Sequence, residues 1–258
     1  MDKFAFGENW DRFSKTVTYQ NFLDAQASVQ DLIPDLNGKT FLDIGCGSGL
    51  FSIAAAVLGA RKILALDVDP QCITTSQHLL EQVCRWDSSI KRDTIEFKTA
   101  SILDERNDLG RWDIVYSWGV LHHTGNMVKA FDIVSTLVAD KGLLVIAIYN
   151  KHFTSPLWKS IKYTYVKSPT LIKKLLVWLT LLVKLPAVWL LSGQNPFKKS
   201  RGMQYYADVV DWVGGYPYEY ASPDEITRYF EPRGFTLKKF IKTTGFTGCN
   251  QFVFEKIG

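Results

Sequence analysis

Cysteine is scarce and badly spaced for structural work. Cys46, Cys72, Cys84 and Cys249 form no CxxC pair, so neither a metal site nor a disulfide framework is expected. Reduced thiols in a cytoplasmic protein are the simpler reading. Met1 to Trp10 lack a basic stretch followed by an apolar one, so no secretory signal is read there. No repeat and no low-complexity tract interrupts the chain. The glycines never fall as GxGxxG, which argues against a dehydrogenase. Acid is missing where base is plentiful: Lys151 to Arg201 hold ten Lys or Arg and no Asp or Glu. The remainder carries 20 basic against 26 acidic residues, so the overall charge of +4 hides a net-negative body and one strongly basic segment. A membrane span needs about 20 nearly uncharged apolar residues. The most apolar stretch, Leu171 to Leu191, is interrupted by Lys173, Lys174 and Lys184, and Pro186 is expected to break its helix.

What is present reads as an alternation. Lys39–Ile44, Ile63–Leu66, Thr94–Lys98, Trp112–Trp118 and Gly142–Tyr149 are strand-like runs. Helical stretches at Leu50–Leu58, Pro70–Cys84 and Met127–Val138 fall between them. Continuous Val/Ile/Leu strands alternating with helices imply a parallel sheet covered on both faces. Two more strands, Phe235–Lys242 and Asn250–Glu255, fit a terminal antiparallel pair. The fold class expected is therefore α/β, a seven-stranded mostly parallel sheet. Residues 1–149 and 233–258 form the core, and 150–232 form a helical cap insertion rooted at the carboxyl ends of the strands, where ligands bind in such folds.

The first chemical signal is Asp43-Ile44-Gly45-Cys46-Gly47-Ser48-Gly49, at a strand-to-helix turn. Gly45, Gly47 and Gly49 suit a backbone that must turn tightly and approach a ligand with no Cβ in the way. The helix start beyond them favours a carboxylate or phosphate. The second signal is Asp67, at the end of strand two, where a carboxylate can accept both ribose hydroxyls of an adenosine. Asp69, before Pro70, is the more natural helix cap.

The ordered stretches LDIGCGSG, LALDVDP, TASILDE and DIVYSWGVLHHTGN resemble the motifs of class I S-adenosyl-L-methionine-dependent methyltransferases. The resemblance covers residues 36–150 and, more weakly, 233–258. It implies a Rossmann-like fold with S-adenosyl-L-methionine as cofactor. The glycine turn would carry the methionine moiety and Asp43 would lie near its amino group. Asp67 would hold the ribose, with Val68 against the adenine. Ser101-Ile102 stand where many members have an Asp and an apolar residue, a departure that removes the usual side-chain bond to the adenine amino group. Trp118 would lie at the methionine end. Phe6 to Trp10 resemble a segment that folds over the cofactor in some relatives, and Trp10 is either that cover or ordinary helix packing.

Methyl transfer needs alignment and the exclusion of water, and an oxygen or nitrogen acceptor also uses a general base. His122 and His123 leave strand four together and should point opposite ways. Leu121-His122-His123 resembles the apolar-x-His step of ubiquinone-type small-molecule methyltransferases, which favours His123 as the base and leaves His122 to the acceptor. Tyr149, at the end of strand five, and Tyr205, Tyr206 and Tyr216 in the insertion are further acceptor candidates. Residues 171–191 read either as a lid over the acceptor or as an interfacial helix in peripheral contact with a membrane. The expected function is transfer of a methyl group to a small molecule at oxygen, in the cytoplasm. The alternatives are a carbon or nitrogen acceptor, RNA or another macromolecule, and a nucleotide-binding protein without transferase activity. No recognisable RNA-binding module is present, so no nucleic-acid partner is expected.

Overall fold

Each of the seven expected strand-like runs becomes a strand, and each helical stretch expected between them becomes a helix. A computed structural model describes residues 6–104, 108–192, 205–243 and 248–258, with all of their side chains except those of 183–192, 205–208 and 211. In chain order the elements are α1 (Phe6–Ser14), α2 (Tyr19–Leu32), β1 (Thr40–Ile44), α3 (Leu50–Val57), β2 (Lys62–Asp67), α4 (Pro70–Trp86) and β3 (Ile95–Thr99). There follow β4 (Trp112–Trp118), α5 (Met127–Leu137), β5 (Val138–Tyr149), α6 (Ser155–Lys167) and α7 (Thr170–Ser192). Last come α8 (Tyr205–Gly214), α9 (Pro223–Phe230), β6 (Phe235–Ile241) and β7 (Cys249–Lys256).

The strands form one sheet in the order β3-β2-β1-β4-β5-β7-β6. The first five are parallel, and β7 runs antiparallel to both β5 and β6. Side chains alternate across β1, so neighbours in sequence enter different cores. Phe41 joins Phe22, Val29, Ile53, Leu79 and Val83 beneath α2, α3 and α4. Leu42 and Ile44 join Leu64, Leu66, Phe131, Phe230 and Phe254 beneath α5 and α9. With about 1.5–3 kcal/mol for each large apolar side chain buried, these two layers fix the sheet and everything mounted on its carboxyl edge.

Among the described residues four α-helices, α6 to α9, lie between β5 and β6. α9 carries Ile226 and Phe230 into the sheet's own apolar layer. α6, α7 and α8 build a third core of Tyr165, Val177, Leu181, Val209, Trp212 and Val213, against which Tyr149 packs. The chain leaves and rejoins the sheet at one point. Asn150 bridges Ala221, Ala221 N–H donates to Tyr149 O and Lys151 N–H to Ala221 O. The expected break at Pro186 is corrected: α7 is a single helix to Ser192. Leu and Ala, both good helix formers, flank the proline, and proline kinks such a helix without ending it.

Candidate functional site

The turn after β1 is shaped by glycine. Gly45, Gly47 and Gly49 all hold positive φ. At Gly47 a second constraint applies, because a Cβ would stand 2.7 Å from the indole ring of Trp10. Asp67 stitches the turn in place: its carboxylate accepts the N–H groups of Gly47 and Asp69 at 3.0 and 2.9 Å. Burial raises its pKa and these two N–H bonds oppose the rise. Asp69 does cap α4, accepting Gln71 N–H, which leaves Asp67 facing the turn. α3 begins at Gly49 with no side-chain cap, so its helix start suits an anionic ligand group. Asp43 lies fully buried beside it with Ser52 Oγ donating at 2.5 Å. Burial pushes its pKa up to about 7, with the Ser52 bond opposing and the charge of Asp67 adding. A bound ammonium would restore the lost ionisation. Positive-φ glycines, an uncapped helix start and a buried carboxylate together fit the methionine and ribose ends of S-adenosylmethionine.

α1 lies across this edge. Gly7 N–H donates to Asp69, Trp10 rests on the turn, and the Phe6 ring stands 5.3 Å from that of His123. A groove of about 640 Å³ between α1 and the start of α4 is lined by Glu8, Asp11, Arg12, Lys15, Asp69 and Gln71. It shares no residue with the histidine cluster and is a charged surface cleft.

The other candidates divide. Val68 is exposed at the rim. Ser101 Oγ accepts Leu103 N–H, while Ile102 is committed to the sheet core. Trp118 stacks on Tyr116 with centroids 6.0 Å apart. His122 and His123 do not point opposite ways as expected: a 3-10 turn over Leu121–His123 sets their rings 4.4 Å apart, with His122 fully buried and His123 half-buried. His123 Nδ1 lies 2.6 Å from Pro217 O. A carbonyl can only accept, so Nδ1 carries the proton and Nε2 keeps its lone pair. His122 Nδ1 accepts Tyr149 N–H at 3.4 Å, and its buried Nε2 has no hydrogen-bond partner among the described residues. Burial, followed by the charge of Lys162, pushes the pKa of His123 down to about 3. Burial, His123 and Lys162 hold His122 well below the usual imidazole range.

Tyr149 stands at the centre of this group, its ring 4.0 Å from His122, 5.4 Å from His123 and 5.1 Å from both Trp212 and Tyr218. Tyr216 is placed elsewhere, edge-on to Tyr163. Tyr205 and Tyr206 head α8, but their side chains lie outside the described residues. The sequence reading missed Lys162, which is fully buried. Its ammonium donates to Trp212 O and lies 4.3, 4.8 and 5.3 Å from the ring centroids of Trp212, Tyr218 and Tyr149. Glu219 was missed as well: its N–H donates to His122 O and its carboxylate accepts Met127 N–H, tying the GGYPYE loop to the histidine loop. Residues 214–219, glycines beside aromatics, carried a readable sign of a shaped loop, whereas nothing in the sequence distinguishes Lys162 from Lys159 and Lys167.

Comparison with known proteins bears on family and fold. The family model for a methyltransferase domain matches residues 18–239. The magnesium protoporphyrin IX methyltransferase of Synechocystis PCC 6803, solved with bound SAH, superposes with a TM-score of 0.57 at 16% identity, over 96% of this chain and 93% of that one. The N-methyltransferase NodS of Bradyrhizobium japonicum gives 0.52 at 14% identity, over 93% and 98%. At such identities the likeness is one of fold. The ribosomal protein L11 methyltransferase of Aliivibrio salmonicida is 58% identical over 43 residues, which is 17% of this chain. The chain spans only 15% of that relative's length.

Proposed function

The chain belongs to the methyltransferase-domain family and is a class I S-adenosylmethionine-dependent methyltransferase, and from this premise we propose that it methylates a small-molecule acceptor at oxygen. The observation that carries this reading is the closed cluster at the ends of β4 and β5. There a neutral His123, fixed by Pro217 O, stands under Phe6 and near the buried ammonium of Lys162. A half-buried imidazole packed among aromatic rings suits a small acceptor better than the surface of RNA or protein. S-adenosylmethionine, when bound at the glycine turn, supplies a methyl group already activated on sulfonium.

The chain's own residues do the rest. Gly45, Gly47 and Gly49 give the ligand access to backbone, Asp43 and Asp67 take its amino and ribose groups, and Val68 and Ser101 border the adenine. Trp10 covers the turn, which excludes water. His123 Nε2 accepts a hydrogen bond from the acceptor hydroxyl, turning an oxygen lone pair toward the methyl group and taking the proton as the bond forms. Because its basicity is low, alignment is the larger part of that contribution. Lys162 biases the acceptor atom. A protonated amine beside a buried ammonium is disfavoured, whereas an oxygen gaining negative charge is stabilised. We place the enzyme in the cytoplasm. RNA as acceptor is favoured only by the basic segment, and salt-dependent RNA binding would test it.

The test of the oxygen reading is His123→Ala. Turnover should fall about 10²-fold, the low end for a lost acid–base group, with S-adenosylmethionine affinity unchanged by calorimetry. A variant with normal turnover would remove His123 from the mechanism and point to a carbon or already ionised acceptor.

A further inference from the structure

α7 is apolar on both of its sides between Leu171 and Leu182. Val177 and Leu181 turn inward onto Val209, Trp212 and Val213, as a covering helix should. The outward side is equally apolar. Between Leu171 and Leu182 the exposed positions are 171, 172, 174, 175, 178, 179 and 182, occupied by Leu171, Ile172, Lys174, Leu175, Trp178, Leu179 and Leu182. Six of the seven are large apolar residues, with Leu171 81%, Trp178 63% and Leu182 64% exposed. At 3.6 residues per turn Leu171, Leu175, Trp178 and Leu182 form one continuous stripe, with Lys174 at its edge. A stripe of this size facing water marks an interaction surface. No helix among the described residues is long and apolar enough to cross a membrane.

We propose that this outer face of α7 docks on an anionic lipid surface. Charge selects the occupant. Lys151 to Leu182 contain six lysines and no acid. Two copies of the chain meeting through this face would set like charges against each other, whereas anionic headgroups neutralise them while the stripe enters the acyl boundary. Lys173 stands apart from the stripe, its ammonium 5.7 Å from the Tyr165 ring, so Lys174 faces the headgroups and Lys173 does not. The proposal is independent of the acceptor's identity.

The experiment is co-flotation of the full chain with phosphatidylcholine vesicles, with and without phosphatidylglycerol, at low and high salt. Binding is expected to the phosphatidylglycerol vesicles and to weaken with salt. Leu171→Glu with Leu175→Glu should weaken it by at least about tenfold. Lys174→Gln should weaken it about fivefold and Lys173→Gln less. Unchanged circular dichroism and S-adenosylmethionine affinity serve as the control for folding, since every altered side chain but Lys173 is exposed. Absence of wild-type binding at low salt would overturn the proposal. So would equal binding to neutral vesicles, or light scattering that shows a dimer which the double variant dissociates while no vesicle is bound.

Discussion

At the glycine turn the backbone itself is the material of the site, whereas at the histidine pair the site is assembled from side chains on separate stretches. Residues 43–49 and 67–69 lie at the ends of two adjacent strands, and the Asp67 carboxylate joins them by accepting Gly47 N–H while it also accepts Asp69 N–H. The histidine cluster draws His123 from the loop after β4, Tyr149 from β5, Lys162 from α6, Trp212 from α8 and Pro217 from the loop beyond. A backbone-built site tolerates little change in its geometry. A side-chain cluster spread over a cap can be altered position by position while the sheet stands unchanged.

The sharpest break in that contrast should come from Gly47→Val. The new Cβ would meet the Trp10 ring at 2.7 Å at a φ of +57°, and the left-handed conformation alone costs an L-residue about 1–2 kcal/mol. We expect cofactor affinity to fall by more than about 100-fold, with a lowered melting temperature. Adding Trp10→Ala should recover part of the loss, the part due to contact. Asp67→Ala comes next, weakening S-adenosylmethionine by about 1.5–3 kcal/mol, the scale of charged hydrogen bonds lost. Unchanged calorimetric affinity in a folded variant would take the ribose from Asp67.

The same measurements on the other region should divide cleanly. Lys162→Met removes a buried cation without changing the space it fills, and we expect stability to move by no more than about 2 kcal/mol. The imidazole of His123 should titrate at higher pH by NMR, because one cause of its depression is gone. Cofactor affinity should hold; if it falls, the two regions are one coupled site. The smallest effect concerns Asp43. Its pKa of about 7 in the folded chain exceeds its ordinary 3.8, so the native state holds an extra proton between those values and gains stability as pH falls through 7. His123 acts in the opposite sense: with its pKa near 3 against 6.5, it holds fewer protons when folded and costs stability as pH falls below about 6.5. If Asp43 meets the amino group of the cofactor, binding should release a proton and strengthen about fivefold between about pH 6 and pH 7. Isothermal titration in buffers of different ionisation enthalpy would reveal that proton or its absence.

Legibility in the sequence follows the same division. The strands and the glycine turn are local patterns, a run of Val, Ile and Leu or three glycines in five residues, and their local meaning survives folding. Tyr149 could be placed because it ends a strand. Lys162 could not, since its partners Tyr149, Trp212 and Tyr218 are 13, 50 and 56 residues away and Lys159 and Lys167 stand close by in the sequence with nothing to tell them apart. Tyr216 and Tyr218 sit two apart in one motif, and only the path of the loop decides that Tyr218 turns toward Tyr149. Pro186 misled because a proline rule was applied without the helix formers on either side.

The pairing of Asn150 with Ala221 has a consequence for how such a protein can change. The residues between them begin and end at one bridge, so the sheet meets the whole segment as if it were a single short turn. Loop-closure entropy grows only slowly with the length hung between two fixed points, and beyond the joined ends the segment is tied to the rest of the chain through Pro217 and Glu219, which bond to the histidine loop and to Met127. If this segment selects the acceptor, replacing it with the corresponding stretch of another methyltransferase would exchange what is methylated while the glycine turn, which lies outside it, keeps its sequence.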